Sequence, residues 1–61
     1  IGMSELYLEN HRGIIEYSSN RMRINLIRGY LEIEGDGLEI KALLPEEMKV
    51  TGNIVNLRYL E

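Results

Sequence analysis

The residues able to do chemistry in this 61-residue sequence are few, and their spacing decides what they can do. There is one histidine, His11, and no cysteine. His11 follows Glu9-Asn10 and precedes Arg12-Gly13, a turn-prone context. Catalysis there would need a nucleophile or carboxylate brought close, and a metal would need three or four suitable ligands. Glu9 and Asn10 are nearby but do not complete such a set, so an exposed turn residue is expected. Four acids, Glu32, Glu34, Asp36 and Glu39, cluster within eight positions. Glu32 and Glu34 share one strand face and resemble a weak site for a hard cation, but no loop alternates oxygen ligands as calcium loops do. A solvated, salt-bridged face is expected instead. Gly35 and Gly37 cannot form a phosphate loop, because no helix follows to present its N-terminus. Arg21, Arg23, Arg28 and Arg58, interleaved with Tyr7, Tyr30 and Tyr59, could form a base-stacking sheet. However, Tyr59 has the parity of the apolar face, and Arg21 and Arg23 have acidic partners at Asp36 and Glu34. No catalytic, cofactor-binding or metal-binding residue is expected, and no enzyme. A small nucleic-acid-binding β domain is the runner-up reading.

The elements that would carry these residues are strands. Apolar residues recur at spacing two in Leu6/Leu8, Ile15/Tyr17, Met22/Ile24/Leu26, Leu31/Ile33, Leu38/Ile40, Met48/Val50 and Val55/Leu57/Tyr59. Between them lie His11-Arg12, Ser19-Asn20, Arg28-Gly29, Asp36-Gly37 and Gly52-Asn53, each suited to a two-residue hairpin loop. A hairpin loop fixes register, and a one-residue slip turns every side chain over. The five loops pair Leu8 with Ile15, Tyr17 with Met22, Ile15 with Ile24, Ile24 with Ile33, Ile33 with Ile40, and Val50 with Val55. They also place Arg23 opposite Glu34 and Glu32 opposite Lys41. The fold predicted is all-β: an antiparallel meander of about seven short strands, with structural turn glycines at Gly13, Gly29, Gly37 and Gly52.

Parity slips between Lys41 and Met48, where a β-bulge near Ala42 would absorb it. Pro45 cannot donate to a ladder and belongs in a connection, and Pro45-Glu46-Glu47 also suits a single helical turn. A flat sheet would leave the Leu/Ile/Val row in water. The sheet must curl into a roll or partial barrel, stack with a partner sheet, or be covered by further sequence. Tyr7, Ile14, Tyr30 and Ile54, with Ile27, have the opposite parity; the first four are the expected interaction surface. Neither terminal strand has proline protection, so self-association is expected.

Length and composition agree. A chain of 61 residues is a single small β domain, residues 1–61, and a core of this size supplies roughly 3–5 kcal/mol. Disulfides are excluded, and 44% hydrophobic residues exceed what a disordered segment carries. No apolar run approaches the 18 or so residues of a membrane span, and the N-terminus has no signal-peptide layout. A soluble, intracellular chain with no direct membrane insertion is expected. Net charge is −3. Residues 1–30 carry four Arg against three Glu (+1), and residues 31–61 three bases against seven acids (−4). Neither half is basic enough to favour nucleic acid.

The order of motifs resembles the YabP/YqfC family of sporulation proteins of endospore-forming Firmicutes. The resemblance is carried by residues 6–17 (Leu6-Tyr7-Leu8-Glu9-Asn10-His11-Arg12-Gly13-Ile14-Ile15-Glu16-Tyr17), by Met22-Arg23-Ile24, by Gly29-Tyr30-Leu31-Glu32-Ile33-Glu34-Gly35 and by Leu38-Glu39-Ile40. It closes with residues 46–54 and Leu57-Arg58-Tyr59. It is closest to the YqfC branch and covers almost the whole chain. It implies a non-enzymatic protein of the mother cell, without cofactor, acting as a structural or adaptor module in forespore-envelope or coat assembly. Cytoplasmic localisation, peripheral at the forespore membrane, and a membrane-bound partner like YqfD are implied with it. Members of the family extend further at the N-terminus, so Ile1-Gly2 is expected not to be the natural start.

Overall fold

The computed structural model describes residues 2–61; Ile1 lies outside them. Five strands follow one another: β1 Met3–Glu9, β2 Ile14–Tyr17, β3 Arg21–Asn25, β4 Tyr30–Leu43 and β5 Glu47–Leu60. They form one antiparallel sheet in the order β1-β5-β4-β3-β2. The all-β expectation holds; the strand count falls from seven to five because Asp36-Gly37 and Gly52-Asn53 are not hairpin loops. They lie inside β4 and β5, with Asp36 opposite Asn53 and register shifts on either side. Glycine suits both settings, since a loop and a bulge each ask for positive φ. Gly37 and Gly52 have φ of 61° and 128°.

These bulges bend the long hairpin. Fourteen straight residues would span about 46 Å at 3.3 Å each, whereas the longest extent of the molecule is 25 Å. The bend brings backbones together: a Cβ on Gly52 would sit 2.5 Å from the Gly37 carbonyl oxygen, and one on Gly35 would collide with the Asn53 carbonyl. The β2–β3 turn braces the bend from outside. The Ser19 carbonyl accepts from the Leu38 N–H (2.7 Å) and the Asn20 carbonyl from the Gly35 N–H (3.1 Å). The two halves of the bent sheet enclose Met22, Ile24, Ile33, Leu38, Met48, Val50 and Ile54, each at most 1% exposed. The sheet has curled on itself, and the apolar row is its lining.

Bulges also reassign faces. Ile54 lies opposite Gly35 and Asn56 opposite Glu34, leaving Val55 as the extra residue. Ile54, expected outside, is therefore wholly buried, and Val55, expected inside, is exposed. On β2 the shift between Ile14 and Glu16 sets Ile14, not Ile15, opposite Ile24, so Ile14 packs on the core and Ile15 is exposed. Tyr17 faces Met22 as expected. Register shifts near Ala42 and a connection at Pro45 also agree with the sequence; no helical turn forms there, because Glu47 already begins β5.

The Arg28-Gly29 loop is longer than two residues. The Leu26 N–H donates to the Gly29 carbonyl (3.0 Å), and the pairs are Met22/Ile33, Arg23/Glu32 and Ile24/Leu31. A shift of two residues keeps every side chain on its expected face and changes only partners. Arg23 now meets Glu32 (Nε–Oε2 3.0 Å) and Arg21 meets Glu34 (3.2 Å); Lys41 pairs with Glu39 instead of Glu32. Glu32, 4% exposed, lies beneath Arg23, Arg58 (3.7 Å) and Arg21 (3.9 Å), on the face opposite the core.

Glu34 accepts from Asn56 Nδ2 (3.1 Å) and from Arg21, and these two hydrogen bonds, the Asn56 bond first, hold its pKa below the usual 4.5. A depressed folded-state pKa adds stability above pH 4.5 that is lost as pH falls through the folded value. Glu34→Gln is therefore expected to flatten the acid limb of a stability profile measured by urea denaturation. An unchanged acid limb would show that the bonds do not hold in solution.

Candidate docking groove

The connection at residues 10–13 builds the site. The sequence suggests a β1–β2 hairpin here, but β1 pairs with β5 (Leu8/Met48, Leu6/Val50), and β1 and β2 are opposite edges of the sheet. In a flat sheet those edges would stand roughly 19 Å apart at ~4.8 Å per strand, beyond the ~18 Å that five fully extended residues reach. The bend of the long hairpin closes the gap. Asn10 (φ 62°) and Gly13 (φ 106°) turn the connection across the open end of the roll. The His11 N–H donates to the Glu46 carbonyl (3.1 Å), the Arg12 N–H to the Asn25 carbonyl (2.7 Å), and the Asn25 N–H to the Gly13 carbonyl (2.8 Å).

His11 is the pin of this crossing. Expected in an exposed turn, it is 4% exposed. Its Nδ1 accepts from the Gly13 N–H (3.0 Å), so Nε2 carries the proton and donates to the Leu44 carbonyl (3.1 Å). Both ring nitrogens are spent on backbone partners. The imidazole ties the 10–13 connection to the β4–β5 turn, where the Leu44 N–H donates to the Glu47 carbonyl (2.8 Å). Between these two segments opens an apolar groove of about 420 Å³, lined by His11, Gly13, Ile14, Leu43, Leu44 and Pro45. Leu43 and Leu44 are each 54% exposed at the hairpin tip, where turn chemistry ordinarily places polar residues.

The sequence points elsewhere for its interaction surface. Of Tyr7, Ile14, Tyr30 and Ile54, Ile54 is wholly buried and has no surface to offer. Tyr7 is exposed on β1, and its hydroxyl donates to Glu47 Oε1 (2.5 Å). That hydrogen bond above all, followed by burial and the negative charges of Glu47 and Glu9, raises the pKa of its phenol. Tyr30 is half-buried with the Arg23 guanidinium 5.9 Å above its ring. Ile14 alone lines the groove. Gly13, Gly29, Gly37 and Gly52 all have positive φ, two in connections and two in bulges. The signal in the sequence for the groove is the consecutive pair Leu43-Leu44 before Pro45, where strand alternation stops.

The polar clusters are internally satisfied. A polar cavity of about 270 Å³ beside the β2–β3 turn is lined by Glu16, Ser18, Asn20, Arg21 and Glu34. There Arg21 pairs with Glu34, and Ser18 Oγ bonds Asn20 Oδ1 (2.9 Å). Among the described residues, no group of three or more histidines and carboxylates is placed to hold a metal. No helix among them is long and apolar enough to cross a membrane.

A profile of the YabP family matches residues 1–61. The chain belongs to the YabP family. This YabP-family chain is also 43% identical over 61 residues to a protein of Bacillus subtilis (strain 168) described as "Uncharacterized protein YqfC". The match covers 100% of this chain and 66% of that relative's length. The family assignment bears out the resemblance read from the ordered motifs, including the YqfC-like similarity.

Proposed function

We propose that this YabP-family chain is a non-enzymatic structural or adaptor module of endospore formation, working in the mother cell through protein contacts. The observation that carries the contact half is the groove: an open apolar cleft walled by two half-exposed leucines, its one histidine committed to the backbone. Large apolar side chains left in water at a hairpin tip are what a docking surface requires. The sporulation half rests on family membership and the resemblance to sporulation proteins. Forespore-envelope or coat assembly, beside a membrane-bound partner like YqfD, is the setting the resemblance implies. The nucleic-acid reading loses its support, since Arg21, Arg23 and Arg58 all reach Glu32 and two of them reach further carboxylates.

Deletion of the gene from its host tests the reading. Vegetative growth is expected to be normal and the count of heat-resistant spores to collapse. A wild-type spore count would overturn it.

A further inference from the structure

We infer that the groove receives a second copy of this chain, forming a two-fold symmetric dimer. The inference rests on the contact-module reading and names the partner.

Three observations select that occupant. First, the groove carries its own ligand: Leu43 and Leu44 line it and are half-exposed beside it, so one copy offers both a cleft and the side chains to fill one. Second, the residues next to its lining in sequence, Arg12 between His11 and Gly13 and Glu46 after Pro45, are exposed and carry one charge of each sign. The Arg12 guanidinium reaches only the carbonyls of Asn10 (3.4 Å) and His11 (3.3 Å), and the Glu46 carboxylate has no partner among the described residues. The two segments are adjacent, because the His11 N–H bonds the Glu46 carbonyl, yet Arg12 and Glu46 form no ion pair. In a two-fold interface, residue i meets residue j of the other copy and j meets i. Arg12 then faces Glu46 of the partner subunit, and Glu46 faces the partner's Arg12, across an apolar centre. A lipid surface would ask for a uniformly basic rim, which a chain of net charge −3 does not present here. Third, the neighbouring edge strand offers further exposed apolar side chains for such an interface. A standard interface takes about 800 Å² from each partner, a large share of the 3873 Å² that the chain exposes. Ile15 and Tyr17 are 50% and 52% exposed on β2, the edge strand that Ile14 begins.

Analytical ultracentrifugation of the chain from micromolar to millimolar concentration, with far-UV circular dichroism to verify folding, tests the inference. A concentration-dependent dimer is expected. Leu44→Asp, an exposed position, should be folded and monomeric. Arg12→Glu and Glu46→Arg should each raise the dimer Kd about tenfold or more, since like charges then face each other. An equimolar mixture of those two variants should regain the wild-type Kd, because each copy then supplies the charge the other lacks. A monomer at every concentration, a dimer indifferent to Leu44→Asp, or a mixture no tighter than its components would each overturn the inference. Binding of monomeric chain to phosphatidylglycerol vesicles, lost in Leu44→Asp, would assign the groove to lipid and overturn it likewise. A monomer together with a spore defect on gene deletion would sink the dimer alone. A dimer together with normal spores would sink the sporulation reading alone.

Discussion

Gly52→Ala is expected to remove the cooperative urea transition at 25 °C. Gly52 has a φ of 128°, where a side chain costs on the order of 1–3 kcal/mol. The added Cβ would also lie 2.5 Å from the Gly37 carbonyl oxygen and 2.9 Å from Leu38 Cα, both backbone atoms. Relief requires β4 and β5 to separate at their bend, which pulls Leu38 and Ile54 apart in the core. Against a total of roughly 3–5 kcal/mol, strain and lost packing together leave little or nothing. Gly37→Ala is the control: φ is 61° but nothing lies within 4 Å of the new Cβ, so a loss of only about 1–2 kcal/mol is expected. Equal losses in the two variants would mean that the facing bulges are not closely packed.

Glu32→Ala is expected to cost about 2–3 kcal/mol, somewhat under the value for breaking a fully buried ion pair. The carboxylate is 4% exposed and lies within 4 Å of three guanidinium groups, which are themselves partly in water. Removing it leaves Arg21, Arg23 and Arg58 repelling one another over the joint of β3, β4 and β5. Raising the salt concentration should recover part of that loss by screening the arginines. A denaturation midpoint unchanged by Glu32→Ala would show that the cluster is a solvated surface feature with no net worth.

Both effects arise where the sequence was only half legible. Alternation at spacing two marked the strands, and every glycine named as a turn residue does have positive φ. The role of Gly37 and Gly52 could not be read locally, because a tight loop and a bulge make the same demand on backbone conformation. What separates them is the strand opposite, and that depends on contacts far apart in sequence. The same blindness applies to β1, whose apolar residues fit Ile15 and Tyr17 as well by parity as they fit Met48 and Val50. Where the turn was local, as at Ser19-Asn20, the expected Tyr17/Met22 pair formed.

The groove was the least legible part. His11 looks polar and turn-bound in sequence, and its burial follows only from the bend that brings Leu44 across to it. The faces of Ile14, Ile54 and Val55 were inverted by single-residue bulges, which leave no mark in the hydrophobic pattern. Leu43-Leu44-Pro45 did depart from alternation, and that departure is where the exposed apolar surface lies.

The count of heat-resistant spores from a deletion strain complemented with Leu44→Asp tests most directly the claim that this protein works through its groove. Spore counts at the level of the deletion strain are expected, with the variant present and folded. Full restoration to the wild-type count would contradict it.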